Sequence, residues 1–220
     1  MAGSAARRPL APAAPPCQGG HMDAHSGPGA PQAAAALNDT TSALSLLLTR
    51  RSAKARDLGP PGPGPAELRT ILRAATRVPD HGKLAPWRFV EITDRAAFAR
   101  LLEESAADRA PGRAEREALR AFAHQAPCLI AALSCPRPDS PIPLWEQQLS
   151  MGAAIMALLL ATHALGYAGS WLTGPAAYLD GVARALGGRP AGFLFLGTPT
   201  RPLEERPRPD PAAVTARWPG

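Results

Sequence analysis

Pro143 opens and Gly166 closes a stretch in which Glu146 is the sole charged side chain. A helix over this stretch is apolar on most sides along Met151–Leu160, so it must be buried on nearly all of them. The rest of the chain then has to be laid around it. The apolar part, Met151–Leu165, is interrupted by Thr162 and His163, and it is too short and too small-sided to span a bilayer comfortably. A buried central helix is the expectation, with no membrane partner. Gly152, Ala153 and Ala154 leave room along it for another helix or a flat ligand.

At roughly 150 residues per domain, 220 residues allow one domain with tails. Residues 1–38 are mostly Ala, Pro, Gly and Arg without a hydrophobic period, and are expected to be a disordered extension. They hold no apolar core of a secretory signal, and Met22 is an alternative start. His21 and His25 belong to this solvated tail. Residues 39–200 carry the patterned domain. Residues 201–220 are proline-rich and suit an extended arm that could wrap a partner subunit.

The net charge is +6, and Lys54 and Lys83 are the only lysines. No basic run exceeds two residues and no aromatics interleave with it, so an arginine-rich surface, not a nucleic-acid site, is expected. A small basic pocket for a phosphorylated ligand remains compatible. Cys17, Cys128 and Cys135 form no CxxC pair, which gives neither a disulfide framework nor a zinc site and fits a reducing cytoplasm.

Along the domain, a helix containing Leu44, Leu47 and Leu48 runs to about Arg50, and Pro60–Gly64 breaks the chain. Pro65 suits the first turn of a second helix, whose Leu68, Ile71, Leu72 and Ala75 share one face. Strands are expected at Arg88–Ile92, Cys128–Leu133, Tyr167–Leu172 and Gly192–Leu196. Helices are expected after Thr93, over Arg113–His124 and over Tyr178–Leu186. The sum is an α+β fold.

Three segments carry chemistry. Arg50-Arg51-Ser52-Ala53-Lys54 offers guanidinium forks and a hydroxyl, the donor set of a phosphate monoester site; basic side chains simply closing a helix are the other reading. Arg77–Phe89 contains Arg, His, Lys and Trp in a loop broken by Pro79, Gly82 and Pro86, which suits either a ligand lip or an ordinary connection around a core Trp. Gly166–Gly174 places small residues about a short strand, for close ligand approach or for tight packing. No GxGxxG, phosphate-binding Walker loop or hydrolase elbow is present. His124 and His163 fall in helical patterns as ordinary helix residues.

Together with WEQQLSMGAAIM at 145–156 and GFLFLGTP at 192–199, these segments resemble the nitroreductase family of flavoproteins, and within it the small YdjA-like type. The resemblance covers about residues 42–200. It implies a nitroreductase-like α+β fold: a central antiparallel-type sheet packed by helices, the long buried helix at its centre, and a homodimer with FMN at the subunit interface. It implies that Arg50, Arg51 and Ser52 hold the FMN phosphate and ribityl chain, and Lys54 of the same basic cluster is expected to join them. Arg201 would join them near the phosphate. Arg77 and His81 would contact the flavin, with Trp171, Leu172 and Thr173 on its other side, and Lys83 of the same loop is expected to serve the ring where Ala85 lacks an amide.

The implied activity is hydride transfer from NADH or NADPH, through flavin N5, to a nitroaromatic, quinone or related acceptor. Because the cofactor carries the redox chemistry, no catalytic protein residue and no metal is required. Two alternatives keep the fold: a flavin-dependent dehydrogenase or dehalogenating enzyme for one metabolite, and a non-catalytic flavin-binding module. Two positions depart from the pattern of relatives: Ala85 stands where Asn or Gln is common, and Leu172 where an Arg is found.

Overall fold

The sequence run GFLFL is apolar at every position, which suits a strand covered on both faces. In the computed structural model, which describes residues 36–218, it lies inside the central strand of the sheet. The expectations on residues 1–35 (the extension, Met22, His21 and His25, Cys17) lie outside the described residues. The helices are α1 (Ala43–Thr49), α2 (Pro65–Ala75), α3 (Arg95–Ala106), α4 (Arg113–Ala123), α5 (Leu144–Ala164) and α6 (Asp180–Leu186). The strands are β1 (Leu58–Gly59), β2 (Trp87–Glu91), β3 (Cys128–Ser134), β4 (Ala168–Leu172) and β5 (Arg189–Pro199).

Every pairing is antiparallel. β5 pairs with β3 on one side (Ile130 opposite Leu194) and with β4 on the other (Ser170 opposite Phe195). Its far end takes β1 (Leu58 opposite Pro199), while β2 extends the sheet beyond β3.

The two-residue period of the strands divides the core. Ile130, Ala132, Leu194 and Leu196 face α2 and α5, where they meet Leu68, Ile71, Met151, Ile155 and Leu158. Leu129, Ala131, Leu133, Phe193 and Phe195 face the other way, onto Phe98 and Leu102 of α3, Leu119 of α4 and Val182 of α6. On that side Phe122 meets Phe193 and Phe195 edge-on, at centroid distances of 5.3 and 5.0 Å, an arrangement that ring quadrupoles favour.

Local chemistry fixes the element ends. Ser42 caps α1 by accepting from the Ser45 amide. Pro65 begins α2, and the Glu67 carboxylate reaches back to accept from the Gly64 amide (2.8 Å) and from the Tyr167 hydroxyl (2.9 Å). The cap of α3 is Asp94, one residue beyond the expected Thr93. The Arg95 guanidinium closes α4 by donating to the carbonyls of Ala123, Gln125, Ala126 and Pro127. The helix expected at 178–186 is instead a 3-10 turn, Pro175–Tyr178, followed by α6.

α5 occupies the centre, but one chain covers only part of it. Gln147, Met151, Ala154 and Leu158 are buried against the sheet side. Trp145 and Leu149, one turn apart on another stripe, are 61 and 64 % exposed. The expected burial on nearly all sides is therefore not met by the described residues: none of them covers this stripe. Leu44, Leu47 and Leu48 of α1 are exposed as well. From Arg201 to Trp218 the chain contains one 3-10 turn, Pro211–Ala213, and only Leu203 is partly buried.

Candidate functional site

Residues 50–54 leave α1 in an extended path because Arg50 turns out of the helix at ψ 124°. Asn38 pins that path from both sides: its side-chain amide donates to the Arg51 carbonyl (3.1 Å) and its side-chain oxygen accepts from the Arg51 amide (2.8 Å). Arg50 Nη1 donates to Ser52 Oγ (3.0 Å), and Arg51 Nε donates to the Glu204 carbonyl (2.7 Å). A cleft of about 330 Å3 opens on one side of this strip, lined by Arg51, Ser52, Lys54, Arg201 and Asp57 among others. A second, of about 420 Å3, opens on another side of the same strip and reaches Gln125, Ser170 and Leu172. Five of the expected residues are thus assembled around one segment: Arg51, Ser52, Lys54, Leu172 and Arg201.

The electrostatics of the strip are unbalanced. Burial depresses the proton affinity of the Arg50 guanidinium, and the charges of Arg208, Arg51 and Arg206 add to this; Glu205 alone opposes them. Arg208 Nη2 donates to the Arg50 carbonyl (3.2 Å) and to Glu205 Oε1 (3.1 Å). Guanidiniums gathered beside a hydroxyl, as Arg51 and Arg208 are beside the Arg50–Ser52 pair, form the donor set of a dianion. FMN's phosphate fits it in charge and in donor type. Arg206 and Arg208 were not among the residues singled out from sequence. Their signal was the Arg-Pro-Arg triplet in the arm, which proline stiffens; what points it back at Arg50 is a contact across 158 positions.

The second expected group sits elsewhere. Arg77 follows the end of α2, and His81–Lys83 form a 3-10 turn. Gly82, Lys83 and Ala85 all have left-handed backbone, at φ 73°, 54° and 47°. The Asp80 carboxylate holds this shape by accepting from the Leu84 (3.1 Å) and Ala85 (2.9 Å) amides. Ser150 Oγ donates to the Pro79 carbonyl (2.5 Å), and His81 Nδ1 lies 2.7 Å from Glu146 Oε2. Arg77, His81 and Lys83 line neither of the two clefts above, nor do Arg50, Trp171 and Thr173, although Arg50 adjoins the strip that both clefts share. The left-handed φ at Ala85 is one that Asn tolerates better than Ala.

Trp171 is half-exposed at the end of β4, with Nε1 donating to the Ala191 carbonyl (3.1 Å). The indole lies so close to Gly192 (φ 154°) that a Cβ there would meet Nε1 at 2.1 Å. Thr173 follows β4 and is exposed. Among the described residues, no group of three His, Cys, Asp or Glu side chains could hold a metal ion. α5 is long and apolar enough to cross a membrane by composition, but its buried stripe packs in the core.

The model of the Nitroreductase family matches residues 47–199. The Escherichia coli (strain K12) protein YdjA, which carries the name of an NAD(P)H nitroreductase, is 36 % identical over 163 residues, covering 71 % of this chain and 88 % of its own. A nitroreductase-like family protein from Bacillus cereus has the same fold at a TM-score of 0.68 and 20 % identity, over 82 % of this chain and 97 % of that one. A nitroreductase with bound FMN from Bacteroides fragilis aligns at 0.59 and 20 % identity, over 81 and 100 %.

Proposed function

The chain belongs to the nitroreductase family, and on that premise we propose that it is an FMN-dependent oxidoreductase that passes hydride from NADH or NADPH to nitroaromatic, quinone or related acceptors. The observation that carries the cofactor assignment is the crowded guanidinium of Arg50, which donates to Ser52 Oγ and sits among Arg51, Arg206 and Arg208 with Glu205 as the one opposing charge. Bound FMN supplies two-electron chemistry at its N5, so the protein's work is to hold, orient and shield it.

In this reading Arg50, Arg51, Ser52, Lys54 and Arg201 bind the phosphate and ribityl end, and Arg208 of the arm adds to them. The backbone of Trp171, Leu172 and Thr173 borders the ring, at the mouth of the cleft that Ser170 and Leu172 line. Arg77, His81 and Lys83 serve the ring from the other group. Because the loop that carries those residues is gripped by α5 and not by the 50–54 strip, they are assigned to the flavin of a second copy. The working unit is then a homodimer with FMN between subunits, and the exposed apolar stripe of α5 with Leu44, Leu47 and Leu48 of α1 supports it. Donors gathered there stabilise the negative charge that collects at the N1–C2 side on reduction. Cys128 and Cys135 are both free, in keeping with the reducing cytoplasm.

The deciding experiment is the absorption spectrum of the purified protein. It is expected to be yellow and to bleach with NADH or NADPH under nitrogen. A colourless protein that cannot be reconstituted with FMN refutes the proposal.

A further inference from the structure

The geometry points to Glu146 as the positioning residue of His81, holding its proton on Nδ1 and so making Nε2 the nitrogen that meets the flavin. This inference rests on the reading above, in which His81 belongs to the flavin site. Glu146 Oε2 lies 2.7 Å from His81 Nδ1. An ionised carboxylate only accepts hydrogen bonds, so in the neutral ring Nδ1 must carry the proton and Nε2 must be bare. The inference concerns the neutral ring, since the imidazolium would carry a proton on both nitrogens.

The scaffold under this contact is rigid on both sides. Glu146 stands in the first turn of α5, where the helix dipole favours a carboxylate. Ser150, one turn on, donates to the Pro79 carbonyl, so the same helix grips the loop twice. Asp80 then fixes the far side of the loop through the amides of Leu84 and Ala85. Two anchors bracket His81, and Glu146 sets the remaining freedom, the orientation and tautomer of the ring. The imidazole itself is largely exposed, with 65 % of its side chain accessible in a single chain, so its outward nitrogen is available to a ligand.

The chemistry of that nitrogen names what it recognises. A bare imidazole nitrogen is an acceptor and needs a donor opposite. The oxidised isoalloxazine has one N–H, at N3 of its imide. In the neutral ring Nε2 is therefore matched to the imide edge of the oxidised isoalloxazine, not to a carbonyl or to the phosphate.

The test uses the full chain with Glu146→Gln, which keeps the shape, and Glu146→Ala. The first measurement is the tautomer of His81 in the FMN-free protein, from long-range nitrogen–proton correlations of the ring at pH 8. The wild type is expected to show Nδ1–H, and both variants a mixture or mainly Nε2–H. The second is the FMN dissociation constant by titration, expected to rise at least threefold in both variants. The same titration with 3-methyl-FMN, which lacks the imide N–H, is expected to show no difference between wild type and variants. A wild-type ring with its proton on Nε2 overturns the inference. So does a tautomer change that leaves FMN affinity untouched, or an equal loss with 3-methyl-FMN. If the wild type binds no flavin at all, the proposed function falls instead, and the tautomer measurement on the FMN-free protein still reports on the Glu146 contact by itself.

Discussion

Replacing Arg50 with Ala is expected to move two quantities in opposite directions. Arg50 is half-buried, donates to Ser52 Oγ, and sits among Arg51, Arg206 and Arg208 with Glu205 as the one opposing charge acting on it. Losing a charge-assisted phosphate contact costs roughly 1.5–3 kcal/mol, or about 10- to 150-fold in FMN affinity. The same deletion relieves like-charge crowding in the flavin-free protein, so its melting temperature is expected to hold or rise. Riboflavin, which lacks the phosphate, separates the phosphate contact from damage to the ring site. Titration by flavin fluorescence should show FMN weakened more than tenfold and riboflavin changed less than twofold. An unchanged ratio of the two dissociation constants would refute the assignment of Arg50 to the phosphate. An FMN loss accompanied by a lower melting temperature would refute the claim that the cluster is strained without its anion.

Arg208→Ala should repeat this pattern more weakly, about 3- to 10-fold in FMN affinity, because its guanidinium is more exposed and one of its bonds goes to Glu205; the same pair of titrations checks it. Leu149→Asp puts a charge in the middle of the exposed stripe of α5 and should shift a dimer to monomers in sedimentation velocity, with loss of bound flavin. Gly192→Ala should displace the Trp171 indole and lower stability by roughly 1–3 kcal/mol, seen as a lower melting temperature and a shifted Trp emission. His163 is 1 % exposed and neither ring nitrogen has a hydrogen-bond partner; burial, then the Arg50 charge, pushes its pKa down to about 4, and the nearby Tyr167 backbone opposes this without completing a bond. The unfolded chain, with an ordinary His, takes up that proton first as pH falls. Stability should therefore decline from about pH 6.5 to about pH 4, by up to ~3 kcal/mol, and His163→Leu should flatten this part of the profile in urea melts.

How much of this was legible from residues depends on the range of the interaction that decides each feature. α2 declared itself through Leu68, Ile71, Leu72 and Ala75, and β3 through an unbroken apolar run, because burial periodicity is local. β1 gave no signal: two residues become a strand only by pairing with Thr198 and Pro199. The first turn of the 178–186 helix was lost to Pro175, which starts a tighter turn earlier. At the site, Arg51, Ser52 and Lys54 were visible as a cluster in sequence, and Arg201 came from the family resemblance. The roles of Arg206, Arg208 and Asn38 were not visible. Each is placed by a tertiary contact that crosses the strip, and a proline-rich arm or an isolated Asn has no period to reveal it.

The exposed stripe of α5 and the split site have one explanation if the dimer assembles both. The strip at 50–54 leaves α1, whose leucines are exposed, and the His81 loop is gripped by Glu146 and Ser150, on the same helix that exposes Trp145 and Leu149. In the proposed dimer each half of the flavin site is thus built directly onto an element whose apolar surface the described residues leave exposed. Burying that surface in a second copy brings the two halves together at no further folding cost, and FMN bound across them adds its free energy to subunit association. Linkage then requires that flavin binding and dimerisation strengthen each other by the same factor. An apolar face that looks like a packing defect in one chain is, on this argument, the device that couples cofactor retention to assembly.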